Sequence, residues 1–370
     1  MLLVAEPSLG EEEKAALAEV VESGWITMGD RVRAFEIAFA ESHGAPDAVA
    51  VSSCTAGLHL ILEALGLGPG DEVLVPALTF VATANAVRYT GATPVFVDIV
   101  SLDLPLLSRA DAEAKCTRNT KAAIVMHYGG YLVDGESWRE FAAKHGLILV
   151  EDAAHAVGVL EAGRVGEAAV FSFFGNKNMT TAEGGMIVAR DAEVLARVRQ
   201  MRSHGMTSST KQRMATPNPS YDVTMLGFNY RMDELRAAVG LVQLGKLLRW
   251  NEKRKNLTAT YRDALSEYCP EVMAPFDRHR PSSHHIMPIV LPAGSQRDTV
   301  MGRMREDGIQ TTVHYPPVHL FSLYRNGGVT ASLPYTEEFA RRELTVPLHQ
   351  RLEGEQVEAI AVSLAKALAN

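Results

Sequence analysis

Residues 147–152 read LILVED, residues 168–174 AAVFSFF and residues 184–189 GGMIVA. Each run is continuously apolar rather than alternating, the pattern of a strand covered on both faces. Toward the N-terminus the pattern recurs in AVAVSS (48–53), EVLVPA (72–77), TPVFVD (93–98) and AAIVMH (122–127). Between these runs, GLHLILEALG (57–66) and DGESWREFAAKHG (134–146) carry helical spacing. Buried strands alternating with helices predict a three-layer α/β domain whose sheet is mostly parallel and mixed at one edge. Glycines and acidic residues punctuate the strand ends, so functional groups are expected on the loops beyond the sheet.

The flanks read differently. Ser8 is placed to cap a helix over about 10–23, with Glu11 three residues on as reciprocal partner and Gly24 as the stop. A second amphipathic stretch, DRVRAFEIAFAESHG (30–44), ends at Gly44. A long helical pattern covers about 232–268. Ahead of it, the polar loop SHGMTSSTKQRMATPNPSYDV (203–223) reads as a mobile lid or as a segment fixed by a partner. Beyond, HHIMPIVL (284–291) and IQTTVHY (309–315) read as strands, and TEEFARREL (336–344) and LEGEQVEAIAVSLAKALA (352–369) as helices. The expected organisation is a large domain with its lead-in over 1–245 and a smaller C-terminal α+β domain over 246–370, the boundary falling between 240 and 275.

Composition narrows the function classes. Of 370 residues, 47% are hydrophobic and 22% charged, which excludes a disordered chain. Thirty-six Lys and Arg against forty-four Asp and Glu give a net charge of −8, contrary to a nucleic-acid polymer or a polybasic membrane surface as partner. A local positive pocket for an anionic metabolite stays open. Cys54, Cys116 and Cys269 lie far apart with no CxxC pair, contrary to a disulfide framework or a cysteine zinc site. His279, His284, His285, His314, His319 and His349 match no zinc spacing, so no metal is expected. No apolar run reaches the roughly 18 residues of a membrane span. The start, MLLVAEPSLGEEEKAALAEV, turns acidic and helix-like at once. These features predict a soluble protein of a reducing cytoplasm.

Several residues can carry chemistry. In FSFFGNKNMTTAEGG (171–185), Lys177 follows a strongly apolar strand. It is either a solvated side chain or a desolvated amine of lowered pKa, able to form a Schiff base with an aldehyde. Ser172, Thr180, Thr181, Gly184 and Gly185 suit a pocket for a phosphate and a flat ring. Asp152 ends the strand LILVED. It either caps the next helix or keeps a ring nitrogen protonated, making that ring an electron sink. His155, one turn on, is a satisfied buried histidine or a partner of that carboxylate or of a phenolic oxygen on the same ring. SSCTAGLHLILEAL (52–65) opens a helix whose first-turn amides at Thr55 and Ala56 can receive a phosphate, as any N-cap can. Phe80, in PALTFVATANAV (76–87), is a core ring or a stacking platform. Asn229 and Arg231 precede a helix that Asp233 can cap. They are surface polar groups or groups reaching a neighbouring subunit's site.

Taken in order, a phosphate-receiving helix start, an aromatic loop, an acid at a strand end and then serine and lysine, the sequence resembles the DegT/StrS-type sugar aminotransferases, enzymes of fold type I dependent on pyridoxal 5'-phosphate. The resemblance runs through SGWITMGDRVRAFEIAFA, SSCTAGLHL, PALTFVATANAV, TPVFVDI, VEDAAHAVG, FSFFGNKNMTTAEGG, GFNYRMDELRAAVGLVQL, HYPPVHL and ELTVPLHQRLEGEQVEAI. It implies Lys177 and Asp152 as catalytic residues, the first forming the Schiff base and the second pairing with the pyridinium nitrogen. It implies Phe80 stacking on the cofactor, His155 beside the phenolic oxygen, and Thr55, Ala56 and Ser172 at the phosphate. Asn229 would reach that phosphate from the other subunit, hence a homodimer with active sites at the interface. Arg231, His314, Tyr315 and His319 fall on the acceptor side, with the loop 203–222 and His349. The implied reaction converts a keto sugar, linked to a nucleoside diphosphate, to an amino sugar with glutamate or glutamine as donor. A keto cyclitol of an aminoglycoside pathway and a non-catalytic cofactor-binding accessory role are the alternatives. Cys54 and Ala182 depart from positions where the family commonly has glycine. An intact Lys177 separates the chain from the sugar-dehydrating branch, where histidine typically replaces it, and no GxGxxG turn follows the first strand as an NAD-dependent oxidoreductase would need.

Overall fold

The computed structural model describes residues 1–208, 213–215, 217, 220–326 and 332–369. Helices α1 (Glu11–Ser23) and α2 (Asp30–His43) lead into β1 (Ala48–Val51), α3 (Cys54–Ala64), β2 (Glu72–Pro76), α4 (Ala82–Tyr89) and β3 (Thr93–Val97). Next come α5 (Arg109–Lys115), β4 (Thr120–Met126), α6 (Gly135–His145), β5 (Ile148–Asp152), β6 (Ala168–Ser172), β7 (Gly185–Ala189) and α7 (Ala192–Met201). The chain then runs through α8 (Glu234–Tyr268), β8 (Met287–Val290), α9 (Arg297–Glu306), α10 (Ser322–Arg325), α11 (Pro334–Arg342), β9 (Glu343–Val346) and α12 (Gly354–Ala369).

The main sheet has the order β1-β7-β6-β5-β4-β2-β3. Pairs from β6 to β3 are parallel, while β7 runs antiparallel to both β6 and β1. The mixed part of the sheet is thus at one end, with the reversed strand one position in from the edge. Alternation sorts each strand between two cores. Val73, Val75, Ile124, Val150, Val170 and Ile187 face α3, α4 and α7. Leu74, Val125 and Leu149 pack with Trp138 and Phe141 of α6. At the β1 end, Phe171 and Met186 pack with Phe35 and Phe39 of α2. This is the three-layer α/β architecture. The smaller sheet pairs β8 with β9 and packs against Leu257, Tyr261 and Leu265 of α8.

Gly24 and Gly44 close α1 and α2 in the left-handed conformation, at φ +68° and +61°. Asp233 caps α8, its carboxylate accepting the Arg236 amide at 2.9 Å. Two local expectations are corrected. Gly10, not Ser8, is the N-cap of α1, and Glu13 rather than Glu11 reaches back to the Gly10 amide at 2.8 Å. Ser8 instead offers its carbonyl to Gln243, and Glu11 pairs with Lys14. IQTTVHY is no strand, because its backbone is shared between partners. Gln310 bonds to Leu2 near the N-terminus while Thr312 bonds to Thr345 of β9, leaving two isolated bridges instead of a ladder. Position 245/246 falls inside α8, which packs against α1, α2 and α12.

Candidate active site

The carboxyl ends of β5 and β6 and the amino end of α3 converge on a cavity of about 350 Å³. Thr55, Phe80, Asp152, His155, Ser172, Lys177, His314 and Tyr315 all line it. Asp152 and Ser172 are the last residues of their strands, and Phe80 lies in the link from β2 to α4. Gly185 lets these parts meet: a Cβ there would come within 2.7 Å of the Cys54 nitrogen and 2.8 Å of the Ser53 carbonyl carbon.

Asp152 accepts hydrogen bonds from the Thr83 hydroxyl at 2.7 Å and the Ala154 amide at 3.1 Å. Burial nevertheless pushes its carboxyl above the ordinary range, against the pull of those bonds and of Lys177. A cationic N–H set against it would pull it back down. The Lys177 amine is lowered from 10.5 to about 8 by burial, with Cys54 and Asp152 opposing. About a tenth of it is therefore free base at pH 7, several hundredfold more than for an ordinary lysine. The Cys54 thiol is driven well up by burial and by Asp152, which keeps it from acting as a nucleophile.

His155 does not bond to Asp152. Its Nδ1 accepts the Gly129 amide at 3.2 Å, so the ring proton sits on Nε2, 2.9 Å from the Tyr315 hydroxyl. Burial, then the charges of Lys177 and His314, hold His155 neutral. Burial likewise raises the Tyr315 phenol far above its usual value. His314 is anchored by its amide to Glu343 and by Nδ1 to the Thr345 hydroxyl, both at 2.9 Å.

Other expected residues lie off this cavity. The Ala56 amide takes the Ser53 hydroxyl as partner at 3.1 Å. The Thr180 and Thr181 hydroxyls are spent holding their own loop, on the carbonyls of Phe173 and Glu183. His319 is buried against Phe96 and Glu337. Asn229 is exposed, and Arg231 is half-buried with Nη1 lacking a hydrogen-bond partner. Ser203, Met206, Thr207 and Ser208 line a different depression beside Met28, Arg33 and Arg199, while residues 209–212, 216, 218 and 219 of that loop lie outside the described residues. Sequence reasoning missed Thr83, whose hydroxyl braces Asp152 from α4, and His285, whose Nε2 lies 3.5 Å from the Lys177 amine. A threonine within a helix gives no sequence signal. His285 enters the sequence reading only among histidines whose spacing matches no zinc pattern, and nothing local ties it to Lys177.

Residues 7–365 match the DegT/DnrJ/EryC1/StrS aminotransferase family. The chain belongs to that family. The aminotransferase TlmJ from Streptoalloteichus hindustanus is 36% identical, with a TM-score of 0.91 over 100% of this chain and 99% of its own. DesI, solved in the presence of its TDP-sugar product, is 32% identical with a TM-score of 0.89, over 100% of this chain and 93% of its own. Spr1654 from Streptococcus pneumoniae, known in PLP and PMP forms, has TM-scores of 0.91 and 0.93 and 27% identity over 99% of this chain and 98% of its own. The DegT-family chain is a pyridoxal-phosphate-dependent aminotransferase of fold type I. Its donor set fits that cofactor: a free-base amine, a buried carboxylate and the amino end of a helix open onto one cavity. Among the described residues no helix is long and apolar enough to cross a membrane.

Proposed function

We propose that this aminotransferase converts a keto sugar carried on a nucleoside diphosphate to the amino sugar, with glutamate or glutamine as donor, and works as a homodimer. The observation that carries the reading is that Lys177, lowered to about 8, and buried Asp152 line the same cavity. The relative DesI, whose product is a TDP-sugar, supports the nucleotide-linked acceptor. Exposed Asn229, lying off its own chain's cavity, supports a second subunit that it serves.

Bound pyridoxal phosphate supplies a reactive aldehyde and a ring that draws electron density from the adjoining carbon. The chain's own groups do the rest. Lys177 Nζ, as free base, would take the proton from the donor's α-carbon and return it to the cofactor carbon on the far side of the donor nitrogen, a 1,3-shift. Asp152 accepts a hydrogen bond from the ring N–H and keeps that proton in place, while Thr83 holds its carboxylate in orientation. His155 offers Nε2–H toward the ring's phenolic oxygen, sharing it with Tyr315. The first turn of α3 at Thr55 and Ala56, with Ser172 and the partner's Asn229, binds the phosphate. The Ala56 amide takes this part once Ser53 gives up its cap. Phe80, 56% exposed on the cavity rim, stacks on the ring. Arg231, His314, Tyr315 and His319 are assigned to the acceptor side, of which His314 and Tyr315 line the cavity while His319 is buried off it against Phe96 and Glu337.

The test is incubation with pyridoxal phosphate, glutamate or glutamine and a panel of keto nucleotide sugars and keto cyclitols, with products read by mass. Amine formed on a nucleotide sugar supports the proposal. Amine formed only on a cyclitol overturns the acceptor assignment while leaving the transaminase intact.

A further inference from the structure

We propose that His285 is a positioning residue for Lys177, presenting a fixed Nε2 lone pair to its amine through a chain of side chains that begins at a backbone carbonyl. The chain sets each tautomer and flip without ambiguity. Asn251, on α8, donates Nδ2 to the Val157 carbonyl at 3.0 Å, so its Oδ1 must be an acceptor. Asn178 donates Nδ2 to that Oδ1 and to the Ser283 carbonyl, both at 2.8 Å. Its own Oδ1 is therefore left to accept, and it takes Nδ1–H of His285 at 2.9 Å. With the proton on Nδ1, Nε2 carries a lone pair, 3.5 Å from Lys177 Nζ.

The ring is also held from its backbone. The His285 amide donates to the Gly129 carbonyl at 3.0 Å, and its carbonyl accepts from buried Arg254 at 3.1 Å. An N–H of Lys177 pointing at Nε2 keeps the amine lone pair from turning toward His285. When Lys177 gains a proton, the same acceptor stabilises the ammonium. Other charged or titratable groups bear on that amine: Asp152, Cys54, His155, His314 and Tyr315 line the same cavity, and Arg254 is bonded to the His285 carbonyl. Burial holds His285 neutral, so it serves as an acceptor and not as a rival cation.

The inference rests on Lys177 as the working amine, yet its test needs neither substrate nor turnover. In the cofactor-free full chain with 15N-labelled histidine, the His285 signals should show Nδ1 protonated and Nε2 bare, and Nε2 should shift when Lys177→Met removes the donor. A bare Nδ1, or an Nε2 signal indifferent to Lys177→Met, overturns the proposal. Separately, the pH profile for labelling Lys177 with an amine-selective reagent should move about one pH unit toward acid in His285→Leu, since a hydrogen bond to the ammonium is lost. His285→Gln, which offers an amide oxygen, should restore most of that shift. Equal shifts in the two variants, or none in either, overturn the proposal even where transamination survives. Absence of activity with normal His285 signals would instead count against the proposed reaction.

Discussion

The role proposed for Lys177 requires an amine that is ordinarily a cation to be kept partly as free base. Burial lowers it to about 8 from 10.5, so its labelling by an amine-selective reagent in cofactor-free protein should rise through pH 8 and level off above. A labelling midpoint near 10 would contradict the desolvated site. Lys177→Ala should lower amination at least about a thousandfold with the circular dichroism spectrum unchanged, because proton transfer and covalent attachment are lost together. Glu343 titrates in the opposite sense. Burial raises its carboxyl from 4.5 to about 8, against hydrogen bonds from Thr345 and the His314 amide. Between about 4.5 and 8 the folded chain holds a proton that the unfolded chain has released, so this group's contribution to stability falls as pH rises through that window. Glu343→Gln should flatten that part of the melting-temperature profile, and an unchanged slope would show the group ionised in the fold. Lys177 and Asp152 were legible because each follows an apolar strand run, where a charged side chain stands out. His285 was not, since the residue that fixes its tautomer is 107 positions away.

The elements were set by local chemistry that the sequence displays openly. Asp233 precedes α8 and accepts the Arg236 amide, so Asp233→Ala should cost about 1 kcal/mol in urea unfolding. Gly185, at the head of β7, is needed for room and not for a left-handed φ. Gly185→Ala should push Ser53 and Cys54 away from the sheet, lowering stability by more than about 2 kcal/mol and weakening cofactor affinity at the α3 amino end. A variant of native stability and affinity would mean the α3 start is not held there. Glycine stops and strand runs read correctly because capping and continuous burial leave strong local patterns. Ser8 misled because two residues equally able to start a helix stood three positions apart from two different acids. IQTTVHY misled because β-rich composition says nothing about whether a neighbouring strand is free along its whole length.

For the assembled protein, the proposed dimer makes a sharp expectation. If Asn229 serves the opposite cavity, Asn229→Ala should weaken cofactor binding, and at limiting cofactor mixing that variant with Lys177→Ala under subunit exchange should give more activity than either variant shows alone. One site of each mixed dimer would then combine an intact lysine with an intact asparagine. Failure to recover activity in confirmed mixed dimers would confine the site to one chain. The C-terminal part is also tied to the N-terminus, Leu2 bridging to Ile309 and the Leu348 amide donating to the Val4 carbonyl, while α8 spans both parts. The layered fold, and Lys177 and Asp152 as candidates for chemistry, can be read from the order of residues alone, because hydrophobic period and strand-end residues are local properties written along the chain. The cofactor and the roles of that amine and acid are what the resemblance to the DegT/StrS-type family implies. Which hydroxyl braces Asp152, which imidazole faces Lys177 and which expected groups stand away from the cavity emerge only on folding, because hydrogen-bond direction and desolvation depend on residues that are distant in sequence until the chain brings them together.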